Sequence, residues 1–206
     1  ATHLLDLHSM HEPGEPLLVT GLLPRNADFA RRMGTRAQIV VDGGHADGVR
    51  MRDHGEFSDP GGSRIAVLLE AGQHWAHASL RTARDALMRF VVEAGSLHRS
   101  DVPAGWMQPE GSAPWPVLVT HRVVARSMRF AFSGDFRGGE LIRDAGTVIA
   151  YDADGPVRTP YDDCVLVMPS VRQLRPGVTT VRLGRQLDPR AASDAGAASE
   201  GNALCP

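Results

Sequence analysis

The segment Ser63-Arg-Ile-Ala-Val-Leu-Leu-Glu-Ala-Gly-Gln-His-Trp75 constrains the fold more than any other part of this chain. Ile65 to Leu69 form an apolar run too short for a lone helix, the pattern of a strand buried on both faces. Glu70 stands at the carboxyl end of that run. Gly72 then permits a tight turn, and Gln73, His74 and Trp75 open a helical pattern that runs to about Leu97, with Trp75, Ala78, Leu87, Phe90 and Val91 as its core face. In an open α/β sheet, ligands bind in the crevice beyond the carboxyl ends of the strands. Glu70 therefore sits where chemistry is usually done, although a lone strand-end glutamate is more often a solvated or ion-paired acid.

The chain begins with another apolar segment, His3 to Met10, which reads as a short buried strand. Alternation along a strand puts Asp6 and His8 on one face. A histidine beside an acid suits a metal ligand with an orienting neighbour, or simply a satisfied polar pair. After the Glu12-Pro-Gly-Glu-Pro16 turn, Leu17 to Leu23 read as a strand. Pro24 reads as a helix opener, with an amphipathic stretch that ends at Gly34. Gln38 to Val41 form a third strand, followed by the glycine-rich loop Asp42 to Gly48. That loop lacks the spacing of a nucleotide site, and its His45 reads as a loop-ordering hydrogen-bond partner. The polar stretch Val49 to Phe57 is expected to lie over the crevice, where Arg50 and Arg52 are candidates to hold a substrate carboxylate. His74 has two readings of equal weight, polarising a carbonyl near the site or bonding across its own turn.

A change of composition follows the long helical pattern. Residues 101–116, rich in proline and glycine, read as a linker after an α/β portion spanning 1–100. Short β segments separated by turn signals occupy 117–187 and fit a small β-domain. Residues 188–206 are low in complexity and are expected to be a disordered tail.

Composition narrows the functions open to the chain. Its 206 residues, 42% of them hydrophobic, are enough for a substantial core. The net charge of −2 gives no reason to expect nucleic acid or anionic lipid as a partner. All 22 cations are arginine. The chain therefore has no Schiff-base lysine, no P-loop lysine and no lysine to carry biotin or lipoate. Cys164 and Cys205 make neither a disulfide framework nor a zinc knuckle. No apolar run reaches membrane-spanning length, so the expectation is a soluble, cytoplasmic protein; a first residue other than Met leaves a processed form open.

Three motifs together, Asp6-Leu-His-Ser9, Gly44-His-Ala-Asp-Gly48 and Leu68-Leu-Glu-Ala-Gly-Gln-His-Trp75, resemble the succinylglutamate desuccinylase/aspartoacylase family, relatives of the zinc carboxypeptidases. Gly139 to Gly146, Ala150 to Gly155 and Thr159 to Asp163 are similar to that family's C-terminal domain. The resemblance implies a zinc-carboxypeptidase-like mixed α/β sheet with helices, followed by a small all-β, barrel-like domain. It also implies a zinc-dependent amidohydrolase that cleaves a small N-acyl amino acid or related amide. By the same resemblance Glu70 is the general base and acid and His8 a zinc ligand; Arg50, Arg52 and His74 are candidates for substrate contacts from their own positions, since the family's arginines for the substrate carboxylate fall mostly outside this sequence. A homo-oligomer is compatible with it.

One part of the family pattern is missing. A His-x-x-Glu pair should precede His8, and no such pair occurs anywhere in the sequence. The expectation is therefore a C-terminal portion of a longer protein, with His11 and Glu12 as weak local substitutes for the missing ligands. The competing reading is a degenerate, non-catalytic homologue that serves binding or assembly.

Overall fold

The computed structural model describes residues 1–44, 49–111 and 115–187. His45, Cys205 and the tail 188–206 lie outside these residues. The chain folds as a mixed α/β protein around one eight-stranded sheet.

The first half supplies β1 (His3–Met10), β2 (Leu17–Thr20), α1 (Pro24–Arg32), β3 (Gln38–Val41), β4 (Ile65–Gln73) and α2 (His77–Glu93). β4 lies between β1, with which it runs parallel, and β2, which it meets antiparallel. β3 then runs parallel to β2. The alternation of strand side chains sorts the core into two faces. Leu18, Ile39, Val67 and Leu69 pack against Phe29 of α1 and Phe90 of α2. Val19, Val40 and Leu68 point the other way.

α1 begins where the sequence predicts, with Pro24 in its first turn, and ends at Gly34, whose φ of +65° supplies the left-handed residue that follows many helices. α2 departs from expectation. β4 runs on through Gln73, and the helix starts only at His77. Trp75 is therefore not in the helix; it has φ +69° and is 99% exposed. Leu87 is exposed too. The face that α2 buries is Asp85, Ala86, Arg89 and Phe90, so two of its four buried residues carry charge. Arg89 Nε donates to Asp85 Oδ1 at 3.0 Å, Arg89 Nη1 to the Met33 carbonyl at 3.1 Å and Nη2 to the Gln108 carbonyl at 2.6 Å; the Gln108 N–H returns to Asp85 Oδ1 at 2.7 Å. One buried ion pair thus ties α2 to the end of α1 and to the proline-rich crossing.

The strands after that crossing are β5 (Val117–Val124), β6 (Ala131–Phe132), β7 (Leu141–Ile142), β8 (Val148–Asp152), β9 (Gly155–Arg158), β10 (Cys164–Val167) and β11 (Thr179–Gln186). This half is all-β, as the sequence predicts. Four of its strands nevertheless extend the main sheet instead of forming a separate barrel: the order is β1-β4-β2-β3-β5-β11-β10-β7. The joint is parallel pairing of Val117 and Leu118 with Val40 and Val41. β6, β8 and β9 make a second, three-stranded sheet. Within β11, Gly184 meets β5 so closely that an added Cβ would lie 2.4 Å from Val117 Cγ1.

Three strands separate β10 from β2 in the sheet order, yet Val165 and Val167 share a core cluster with Met10, Leu17, Val19 and Leu68. The sheet therefore curls back over its own helix-free face. The turn after β1 is fastened to the far side of that curl, where Arg172 Nε donates to Glu12 Oε1 at 3.0 Å and His11 Nε2 lies 2.8 Å from Gln173 Nε2.

Candidate active site

The curl encloses a cavity of about 470 Å³ on the helix-free face. Its floor is Val19, Val40 and Leu68, and Val167 and Met168 close it from the opposite side. Six polar side chains enter it: Asp6, His8, Asp42, Arg50, Glu70 and Arg182.

Glu70 and His8 are brought together by strand register. They are direct partners across the parallel β1 and β4 pair, and Asp6 stands opposite Leu68 two residues earlier. Asp6 and His8 do share a face, with His8 Nε2 3.1 Å from Asp6 Oδ1. Immediately beyond, the register slips between His8 and Met10, so Ala71 and Gly72 of β4 stand against Ser9 alone. Gly72 is thus the hinge of a β-bulge rather than of a turn into a helix. Its φ is +115°, and an added Cβ would lie 2.9 Å from Ser79 Oγ. Bulges of this kind re-aim side chains beside active sites.

Glu70 is largely buried, and its Oε2 has no hydrogen-bond partner among the described residues. Burial pushes its carboxyl up to about 7, against the lowering influence of His8, Arg50 and Arg182. A carboxylate so placed can exchange a proton near neutral pH.

Asp42 organises the other side of the cavity. Arg182 Nε lies 3.0 Å and Arg50 Nη1 3.2 Å from its Oδ2. Burial alone would raise the Asp42 carboxyl, but Arg182 and Arg50, with the Gly44 N–H, hold it below its ordinary value. Arg52 does not line the cavity. It is 1% exposed, donates from Nη2 to the Asp42 carbonyl at 2.8 Å, and lies 3.3 Å from Asp53 Oδ1 through Nη1. This cluster also explains Gly21, where a Cβ would meet Arg52 Nη1 at 3.1 Å. His74 is likewise absent from the cavity wall. Its Nδ1 lies 2.6 Å from Ser9 Oγ, its backbone N–H donates to the Met10 carbonyl at 2.8 Å, and its ring meets His11 edge-on. Of its two sequence readings, this geometry is the local hydrogen-bonding one.

No family model matches the sequence, and no curated protein does. Solved structures match closely in shape. A succinylglutamate desuccinylase/aspartoacylase from Rhodobacter sphaeroides aligns with TM-score 0.64 at 15% identity, over 91% of this chain and 59% of that one. A succinylglutamate desuccinylase from Vibrio cholerae gives 0.62 at 15% identity, over 89% and 53%. The ectoine utilization protein EutE from Ruegeria pomeroyi gives 0.61 at 17% identity, over 89% and 60%.

The chain has the succinylglutamate desuccinylase/aspartoacylase fold.

It spans between half and three-fifths of the length of these desuccinylase/aspartoacylase structures. The family resemblance read from the three motifs is borne out at the level of fold.

Zinc, which the desuccinylase/aspartoacylase resemblance implies, requires three protein ligands at a catalytic site. The described residues do not fit it by themselves. His8 is the one imidazole on the cavity wall, its Nε2 is engaged by Asp6, and no group of three His, Cys, Asp or Glu side chains converges among them.

Sequence reasoning missed Asp42 as a centre and Arg182 altogether. Asp42 was legible as the acid ending an apolar strand, the same signal that singled out Glu70. Arg182 had no local signal, since it reaches the site only through the long return of β11.

Proposed function

We propose that this chain is part of an amidohydrolase that cleaves the amide bond of a small N-acyl amino acid or a related compound. The observation that carries the reading is Glu70: a largely buried carboxyl whose Oε2 has no hydrogen-bond partner among the described residues, with an affinity for protons near neutrality, facing a cavity whose opposite wall carries Arg50 and Arg182.

In this reading Glu70 takes a proton from the attacking water and returns it to the leaving amine. Asp6 orients His8. Arg50, held by Asp42, faces the carboxylate of the substrate or the oxyanion that forms on the acyl carbon. Arg52 and His74 become supports of the site rather than contacts to substrate. Zinc dependence belongs to the proposal for the complete protein, with His8 as one ligand and the others contributed from outside the described residues; no proton step above depends on it. Among the described residues no helix is long and apolar enough to cross a membrane. A cytoplasmic location and a homo-oligomeric form are part of the same proposal.

The test is Glu70→Gln in the complete protein, assayed on a panel of N-acyl amino acids alongside elemental analysis for metal. We expect retained metal with turnover lowered by ~100-fold or more, and loss of metal in His8→Ala. Unchanged turnover in Glu70→Gln would remove Glu70 from the mechanism. A second reading, a non-catalytic binding or assembly module, is favoured by the absence of a three-ligand cluster among the described residues. It takes the lead if the complete protein holds no metal and hydrolyses none of the panel.

A further inference from the structure

Two cations share one carboxylate oxygen on the wall of the cavity. Asp42 Oδ2 has Arg182 Nε at 3.0 Å and Arg50 Nη1 at 3.2 Å, while Asp42 Oδ1 accepts the Gly44 N–H at 3.1 Å. Arg182 comes from the middle of β11, between the buried Val181 and Leu183, and its partners across the ladder are Val167 and Arg122. Burying a guanidinium is costly, and a second arginine directly opposite adds to the cost. Pairing Asp42 does not by itself require Arg182, because Arg50 reaches the same oxygen.

The two cations differ in what they can do next. Arg50 is the more accessible, its side chain 17% exposed against 9% for Arg182. An anion entering the cavity therefore draws on Arg50 first. Were Arg50 the sole cation on Asp42 Oδ2, its turning away would leave a buried carboxylate with the Gly44 N–H and the weaker influence of Arg52. Leaving a buried charge so poorly compensated is strongly unfavourable, and that cost would be subtracted from the binding of the anion. With Arg182 in place the ion pair persists when Arg50 turns.

Resting on the role of Arg50 in the amidohydrolase reading, we propose that Arg182 is a positioning residue: it holds the charge of Asp42, so that Arg50 can leave that carboxylate for the carboxylate of the substrate. Arg182 itself does not touch the substrate. Affinity for an anionic substrate is then set from β11, through Asp42, and an uncharged analogue gains nothing from it.

The experiment measures binding of N-acetylglutamate and of its uncharged diamide to the complete protein by titration calorimetry, with hydrolysis followed in parallel. The parent should bind the acid more tightly than the diamide. Arg182→Met should weaken binding of the acid by ~10-fold and leave the diamide unaffected, since neighbouring charges couple by about this much. Where that variant does not fold, Arg182→Gln takes its place. Adding Asp42→Asn to either variant removes the competing anion and should restore affinity for the acid. Arg122→Gln removes the exposed cation opposite Arg182 without touching Asp42 and should change affinity for the acid by less than about threefold. Three results would overturn the proposal: acid and diamide bound equally by the parent, no recovery in the double variant, which would put Arg182 in contact with the anion itself, or an equal loss in Arg122→Gln, which would make the effect one of net charge. The expected pattern of binding without hydrolysis of either compound supports the assignment of Arg182 and counts against the amidohydrolase reading, so the two failures are distinguishable.

Discussion

Asp42 Oδ2 lies 3.0 Å from Arg182 Nε, joining the end of β3 to β11. Both side chains are more than nine-tenths buried, and the same carboxylate also receives Arg50. Removing the anion takes from these guanidinium groups the buried carboxylate that they share. Asp42→Asn should therefore cost about 3–5 kcal/mol, measured by urea unfolding at neutral pH. Because the folded carboxyl is held below its ordinary value, its contribution is complete at neutral pH and is lost as the solution is acidified below about pH 4. A urea midpoint for Asp42→Asn that matches the parent's would deny Asp42 this role.

Glu70 has the opposite sign. Its folded carboxyl titrates near 7 against an ordinary value of 4.5. Between those values the native state binds more protons than the unfolded chain, so stability falls as pH rises through this window. The loss amounts to roughly 3 kcal/mol. Glu70→Gln should flatten that part of the profile and be more stable than the parent at pH 8. Parallel pH profiles for the two would contradict the burial argument.

Arg89 and Asp85 make a prediction that concerns stability alone. Arg89→Met leaves Asp85 as an unpaired buried acid and should cost about 3–5 kcal/mol. Adding Asp85→Leu to it should recover much of that loss, although the Gln108 N–H then lacks its acceptor. Thermal unfolding of the single and double variants reads the difference directly.

Gly184→Ala should be destabilising by about 1–3 kcal/mol, because its Cβ would fall 2.4 Å from Val117 Cγ1 and 3.0 Å from the Leu118 carbonyl oxygen. The same β5 and β11 contact carries Arg182 to the cavity. Calorimetry should show a lowered melting temperature, and a melting point equal to the parent's would mean that the two strands can separate at little expense.

Much of the fold was legible in local pattern. The apolar runs at Gln38–Val41 and Ile65–Leu69, Pro24 opening α1 and Gly34 ending it all have causes within a few residues of themselves. The shared face of Asp6 and His8 follows from simple alternation, whereas the register that sets His8 beside Glu70 became visible only with the pairing of β1 and β4. What misled was also local. Gly72 has the positive φ that a turn needs, but here a bulge uses it and the strand continues. Asp85 and Arg89 carry no local signal that they are buried on α2 as a pair. Nothing near residue 182 in the sequence reports that β11 returns to pair beside β5, so Arg182 became visible only with the sheet order.

The curl of the sheet has a consequence for the order in which the cavity can assemble. Asp6 and His8 lie on β1 and Asp42 follows β3, whereas Arg182 lies on β11, far along the chain. Until that strand docks, Asp42 lacks one of its cations and the cavity lacks a wall. A topology whose decisive contacts join distant parts of the chain closes slowly. The cavity beside Glu70 therefore closes only when β11 has docked, and the pairing of β1 with β4 alone sets His8 next to Glu70 without the wall around them.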